Sequence, residues 1–116
     1  MQNFKNLKIW QQGIEIVVKA YKLSKQLPSE EKYGLVSQLT RAVVSIPSNI
    51  AEGSSRVSEK EFNYYLQIAL GSAYEVETLL ITIEKIDLVR DKAIKELKEM
   101  IVEEQRMING LMKRKR

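Results

Sequence analysis

Five polar residues of this chain recur at helical spacing. Gln38, Arg41, Ser45, Asn49 and Glu52 follow one another at intervals of three, four, four and three residues. At ~100° per residue, that spacing places all five within an arc of ~80° on one helix face. Ser72 and Glu75 lie on the next helical pattern and can meet this stripe across an antiparallel hairpin. Such a set can form a hydrogen-bonded network that holds helix register, line a subunit contact, or offer polar groups to a ligand. Arg41 and Glu52 are eleven residues apart, ~16 Å along a helix, and cannot pair with each other. Glu75 is the acid expected to answer Arg41, because a guanidinium buried without a partner is strongly destabilising.

Other chemistries are excluded by composition. There is no cysteine and no histidine, so disulfides, thiolate or imidazole metal sites and the Ser-His and Cys-His arrangements are absent. The carboxylates of Glu75 with Glu77, and of Glu103 with Glu104, are neighbours in sequence only, and residues one or two apart do not share a helix face. An all-carboxylate Mg²⁺ or Mn²⁺ site built from Glu52 and Glu75 is the enzymatic alternative. No phosphate-cradling glycine loop is present, no lysine is placed beside Ser45 or Ser72 to act as a base, and no cofactor is expected.

Charge points to a different partner class. Lysine and arginine number 19 against 15 acids. Lys113, Arg114, Lys115 and Arg116 supply the whole excess, so residues 1–112 are neutral and the pI near 9.3 belongs to a basic tail. Lys8, Lys19, Lys22 and Lys25 add a basic side near the start of the chain. These eight residues are the candidates for salt-dependent contact with nucleic-acid phosphates. Trp10, Tyr21, Phe62 and Tyr65 all fall on apolar stripes, so no exposed aromatic platform is expected. The longest uncharged run, residues 62–74, is short for a bilayer span and contains Asn63, Gln67 and Ser72. With no apolar leader at the start, a cytoplasmic location is the default.

The elements that must position these residues are helices. With 116 residues, 44% apolar and 29% charged, the chain suits a single domain (1–112) followed by the tail (113–116). Its periodicity predicts four helices over about 6–27, 33–52, 59–87 and 92–113. Ser58 with Glu61 forms a capping box, Asp91 is an N-cap, and Gly53 is placed as the glycine that closes the second helix. The first helix carries two stripes: Leu7, Trp10, Ile14, Val17, Tyr21 and Ser24, and Ile9, Gly13, Ile16, Ala20, Leu23 and Leu27. The second helix has only Arg41 and Glu52 as charges between Lys32 and Arg56. Its core stripe is Leu35, Leu39, Ala42, Val43, Ile46 and Ile50, and its opposite side is expected to carry Thr40, Val44, Pro47 and Ala51. A helix with so little charge around it is normally covered on more than one side, which predicts self-association. Pro47 is expected to kink this helix near Val43. In the last helix Ile94, Leu97, Ile101, Ile108 and Leu111 face the core, and the charged remainder is expected in solvent.

One family shares these patterns. The blocks are Leu27-Pro28; Glu31-x-Tyr33-Gly34-Leu35-x-x-Gln38-Leu39-x-Arg41-Ala42; Ser45-Ile46-Pro47-x-Asn49-Ile50-Ala51-Glu52-Gly53; and Glu61-Phe62 through Tyr65-Leu66-x-Ile68-Ala69-x-Gly71-Ser72-x-x-Glu75. Arg106-Met107-x-Asn109-Gly110-Leu111 ends the match. The chain resembles the small four-helix-bundle proteins related to the protein encoded in intervening sequences of bacterial 23S ribosomal RNA genes. The resemblance implies an all-α, up-down-up-down four-helix bundle that assembles as a ring-like homo-oligomer, typically a homopentamer, and no enzyme activity. A similar pentameric bundle serves as the accessory protein of diversity-generating retroelements, where it binds nucleic acid and a reverse transcriptase. The combined expectation is a non-catalytic scaffold whose partners are its own copies and nucleic acid, with no membrane; a protein–protein adaptor without a nucleic-acid role is the other alternative.

Overall fold

In the computed structural model, the backbone is described for residues 3–115 and the side chains for residues 3–113. A 3-10 turn over Phe4–Asn6 leads into α1 (Lys8–Ser24), and a second over Ser29–Glu31 precedes α2 (Leu35–Ser54). Helices α3 (Glu59–Lys85) and α4 (Lys92–Lys115) follow, with no strand among the described residues. Helix α1 stops at Ser24, and the chain continues as turns, with Gln26 N–H donating to Leu23 O and Leu27 N–H to Ser24 O, up to Pro28. A proline disfavours helical geometry in the residue ahead of it.

The predicted helix starts at Ser58 and Asp91 are present. Ser58 Oγ accepts from Glu61 N–H at 3.1 Å, and Asp91 Oδ1 accepts from Ala93 N–H at 3.1 Å. Each satisfies a backbone donor that the first helical turn leaves free. Helix α3 ends on a feature the pattern did not suggest. Asp87 has φ 64°, Leu88 N–H donates to Ile83 O, and Asp87 N–H donates to Glu84 O. This is a Schellman closure, with aspartate in the left-handed position that glycine usually fills.

Helix α1 packs on α2 and α4, α3 packs on the same two, and no diagonal pair is in contact among the described residues. Ser45 pairs with Ser72, Glu84 with Lys98, and Gln12 with Glu103. Together with Gln105–Glu77 and Gln26–Asp91, these place neighbouring helices antiparallel, the up-down-up-down order. The core contains Ile16, Leu39, Ile46, Leu66, Leu80 and Ile101, all fully buried; each such side chain is worth about 1.5–3 kcal/mol relative to exposure. On α1 the Ile9 to Leu27 stripe is the buried one, and the Leu7 to Tyr21 stripe lies at the core's edge, with Ile14 and Tyr21 exposed.

Two expectations about α2 need correction. Gly53 does not close the helix. It lies inside α2 with no positive φ, and a Cβ there would stand 2.7 Å from Tyr65 Cβ. It is glycine because α3 crosses too closely for any side chain. Pro47 does not face outward. It is buried, and its ring lies 3.3 Å from where a Gly13 Cβ would be. The helix continues past it without a break.

Candidate functional site

The seam between α2 and α3 gathers most of the predicted polar stripe. Ser72 Oγ donates to Ser45 Oγ at 2.8 Å, and Asn49 Nδ2 donates to Ser45 O at 2.8 Å and to Ser45 Oγ at 2.9 Å. These three half-buried side chains tie one helix to the other, which pins their register. Beside them a crevice of about 320 Å³ is lined by Gln38, Arg41, Ala42, Ser45, Ser72 and Glu75. Six of the seven predicted residues thus cluster along one seam.

Glu52 leaves the cluster. Its carboxylate accepts from Arg56 Nη2 at 2.7 Å, and the same nitrogen donates to Tyr65 OH at 2.8 Å. The Arg56 guanidinium also lies 5.0 Å from the centre of the Tyr65 ring, a cation–π arrangement. This clamp sits where Gly53 lets the helices touch. Arg56 was not singled out from the sequence, although its position four residues after Glu52 was the available signal.

The expected Arg41–Glu75 ion pair is not formed. The ion pairs among the described residues are Arg56–Glu52, Arg90–Asp87 and Lys98–Glu84. Arg41 and Glu75 are both exposed on the crevice rim, so water solvates the guanidinium and the desolvation argument for a partner within the chain does not apply. Among the described residues no group of three acids is placed to hold a metal ion, and Glu52 is already engaged by a cation.

The outer faces of three helices are partly apolar. Ile14, Val18 and Tyr21 on α1, Val44 on α2, and Tyr64, Ile68, Tyr74 and Ile81 on α3 are all exposed. Helix α4 contributes no large exposed hydrophobic among its described side chains; Lys95, Glu96, Glu99, Glu103 and Arg106 are exposed there instead. By length and composition α3 could cross a membrane, but its core face is enclosed by α2 and α4.

Lys8, Lys19, Lys22 and Lys25 are exposed, and among the described residues none has a carboxylate within ion-pair distance. Tyr21, expected in the core, is 48% exposed and stands one helical turn before Lys25. Trp10 and Tyr65 are half-buried, and Phe62 alone of the four aromatics is buried. Lys113 is exposed and, with Lys8, rims an apolar crevice of about 600 Å³ between the start of α1 and the end of α4. The side chains of Arg114, Lys115 and Arg116 lie outside the described residues.

Sequence reasoning missed one buried acid. Glu104, expected on the solvent face of α4, is 0% exposed, and neither carboxylate oxygen has a hydrogen-bond partner. Burial, reinforced by the charge of Glu103, pushes its carboxyl up to about 8. The signal was a gap in the apolar pattern. Ile94, Leu97, Ile101, Ile108 and Leu111 keep three–four spacing only if position 104 or 105 also faces inward, and both are buried.

The family model described as 23S rRNA-intervening sequence protein matches residues 5–110. A crystal structure of a protein of unknown function from the S23 ribosomal protein family of Bacteroides thetaiotaomicron superposes with a TM-score of 0.83. It shares 24% identity and covers 90% of this chain and 98% of its own, a likeness that establishes the fold. A search of curated proteins returned no match.

Proposed function

The chain belongs to the 23S rRNA-intervening sequence protein family, and from that premise we propose that it is a non-catalytic scaffold that works as a ring-like homo-oligomer. The observation that carries this reading is the distribution of apolar surface. Three helices expose large hydrophobic side chains on their outer faces and the fourth exposes charge. Apolar side chains grouped on the outer faces of a small protein suit contact with another macromolecule. Copies of the chain meet through α1, α2 and α3, and α4 faces water. Arg41 and Glu75, unpaired within one chain, supply complementary charges at the edge of that contact. A homopentamer is the assembly that the family resemblance implies.

Light scattering of the full chain tests this. The expected molar mass is a multiple of 13.4 kDa, reduced by Val44→Asp or Ile68→Asp; Arg41→Ala and Asn49→Leu shift assembly or melting. A single-chain mass at micromolar concentration, with these variants unchanged, overturns the reading.

A second reading rests on the exposed Tyr21 among unpaired lysines. On one side of α1, Lys19, Lys22, Lys25 and Tyr21 combine phosphate contacts with a stacking ring, which fits a nucleic acid. The test compares the full chain with one ending at Met112, and with Lys22→Glu/Lys25→Glu, at two salt concentrations. Binding that weakens in the lysine variant and falls steeply with salt supports the basic face; equal retention of nucleic acid by all three chains removes it.

A further inference from the structure

Three residues that break local rules meet at one point in the bundle. Gly13 lies in the middle of α1, where glycine costs about 1 kcal/mol relative to alanine. Pro47 lies in the middle of α2, where it leaves the Val43 carbonyl without its usual helical donor. Glu104 occupies the core position of α4 between Ile101 and Ile108. Gly13 stands between the other two: the site of its Cβ would be 3.3 Å from Pro47 Cβ and 3.5 Å from Glu104 Oε2. A Cβ at 13 would press on the proline ring and reach ordinary van der Waals contact with the carboxyl, so the glycine brings the α1 backbone up to both.

The carboxyl in this pocket is fully buried and touches no donor. An ionised carboxylate there would have neither water nor a hydrogen bond, which proteins do not tolerate; the group keeps its proton instead. The charged surroundings do not help it ionise. Glu103, beside it on α4, raises its proton affinity, and Glu103 is itself bound by Gln12 of α1. A solvent-lined crevice of about 280 Å³ along the α1–α4 seam carries Lys8, Glu15 and Glu103, with Gln11, Gln12 and Met107. The ionisable residues of α2, Arg41 and Glu52, are exposed on its outer side. On α3, Glu77 accepts from Gln105. Among the described residues, no cation from the four helices bonds to Glu104.

We propose that Gly13, Pro47 and Glu104 form a proton-binding site at the centre of the bundle: the closed bundle holds Glu104 as the neutral acid, and loss of its proton opens the seam between α1 and α4. That seam is the least extensive of the four, and the crevice along it brings solvent to Glu103, the residue before Glu104. The device is independent of the self-association proposed above, because it lies wholly within one chain.

The direction of the pH effect follows from linkage. The folded chain holds this proton up to about pH 8 and the unfolded chain only to its ordinary 4.5. The stabilisation is complete below the lower value and is lost as pH rises toward the upper one. Between pH 5 and pH 7 the folding equilibrium constant should fall roughly fifty- to hundredfold on account of this group alone.

The test uses the full chain and Glu104→Gln, which keeps the shape and cannot ionise. Denaturant melts across pH 5–7 should show the wild-type constant falling relative to the variant by that factor. Carboxyl ¹³C NMR on the wild type does not depend on the variant folding: one glutamate should remain protonated near neutral pH after the others have ionised. Hydrogen exchange, corrected for its intrinsic pH dependence, should show protection at residues 101–108 lost as that glutamate titrates. A wild-type to variant ratio that stays flat with pH, a Glu104 that ionises with the surface acids, or unchanged protection through its titration overturns the proposal.

Discussion

Replacing Gly53 by alanine tests how closely α2 and α3 approach. The added Cβ would stand 2.7 Å from Tyr65 Cβ, 3.1 Å from Phe62 Cδ1 and 3.3 Å from Phe62 O. Ordinary carbon contacts are about 3.5–4.0 Å, so the first distance falls short by about an ångström. Tyr65 Cβ and the Phe62 carbonyl are close to or part of the α3 backbone, so no flexible tip can swing away; the helix start must shift. Overpacking of this kind costs about 1–3 kcal/mol. Against it stands the helix propensity of alanine over glycine, about 1 kcal/mol in favour of the variant. The balance is a loss of about 1 kcal/mol, and more if the Arg56 clamp on Tyr65 is also displaced. Gly110 supplies the control, since a Cβ there meets nothing within 4 Å; Gly110→Ala should gain about 0.5–1 kcal/mol. Thermal and denaturant melts at one fixed protomer concentration read both. The two variants should move in opposite directions, separated by about 2 kcal/mol, or on the order of 10 °C in Tm. If Gly53→Ala melts at or above Gly110→Ala, the close approach of the two helices is refuted.

Other perturbations give smaller readouts. Ser45→Ala removes the acceptor shared by Ser72 Oγ and Asn49 Nδ2 and should cost about 1 kcal/mol in a urea melt; no change would mean that water replaces the network freely. Asp87→Gly relieves a left-handed backbone position and should raise the melting temperature slightly, although it removes the exposed contact with Arg90 that holds the Asp87 carboxyl below the usual range. A drop would show that the Arg90 contact outweighs the backbone term. Gly71→Ala offers a cross-check on self-association. A Cβ there is unobstructed within one chain, so the variant should stabilise an isolated protomer like Gly110→Ala, whereas loss of assembly in light scattering would place the α3 outer face in the subunit contact.

The buried acid changes how the candidate residues are weighed. The polar stripe looked like the place where charge would be buried, yet Arg41, Glu52 and Glu75 are all exposed and Ser45, Asn49 and Ser72 form a neutral network. The unpaired buried group lies in α4, the helix with the most charge, where Glu104 was read only as a sequence neighbour of Glu103. The lesson is one of pattern continuity: a polar residue that completes an apolar three–four series says more than one on a polar face.

Local signals were legible from composition and spacing alone. The all-helical class, the helix starts at Ser58 and Asp91, the main core stripes and the scarcity of charge on α2 depend on a residue and its near neighbours, and periodicity reports those angles within a single helix. How each helix is rotated against the next is set by packing among distant segments. That rotation decided which α1 stripe went inside, turned Pro47 toward Gly13 instead of solvent, left Arg41 wet, and buried Glu104. Gly53 shows the same limit, because a glycine near a helix end looks like a cap until a second helix is seen to cross it at contact distance.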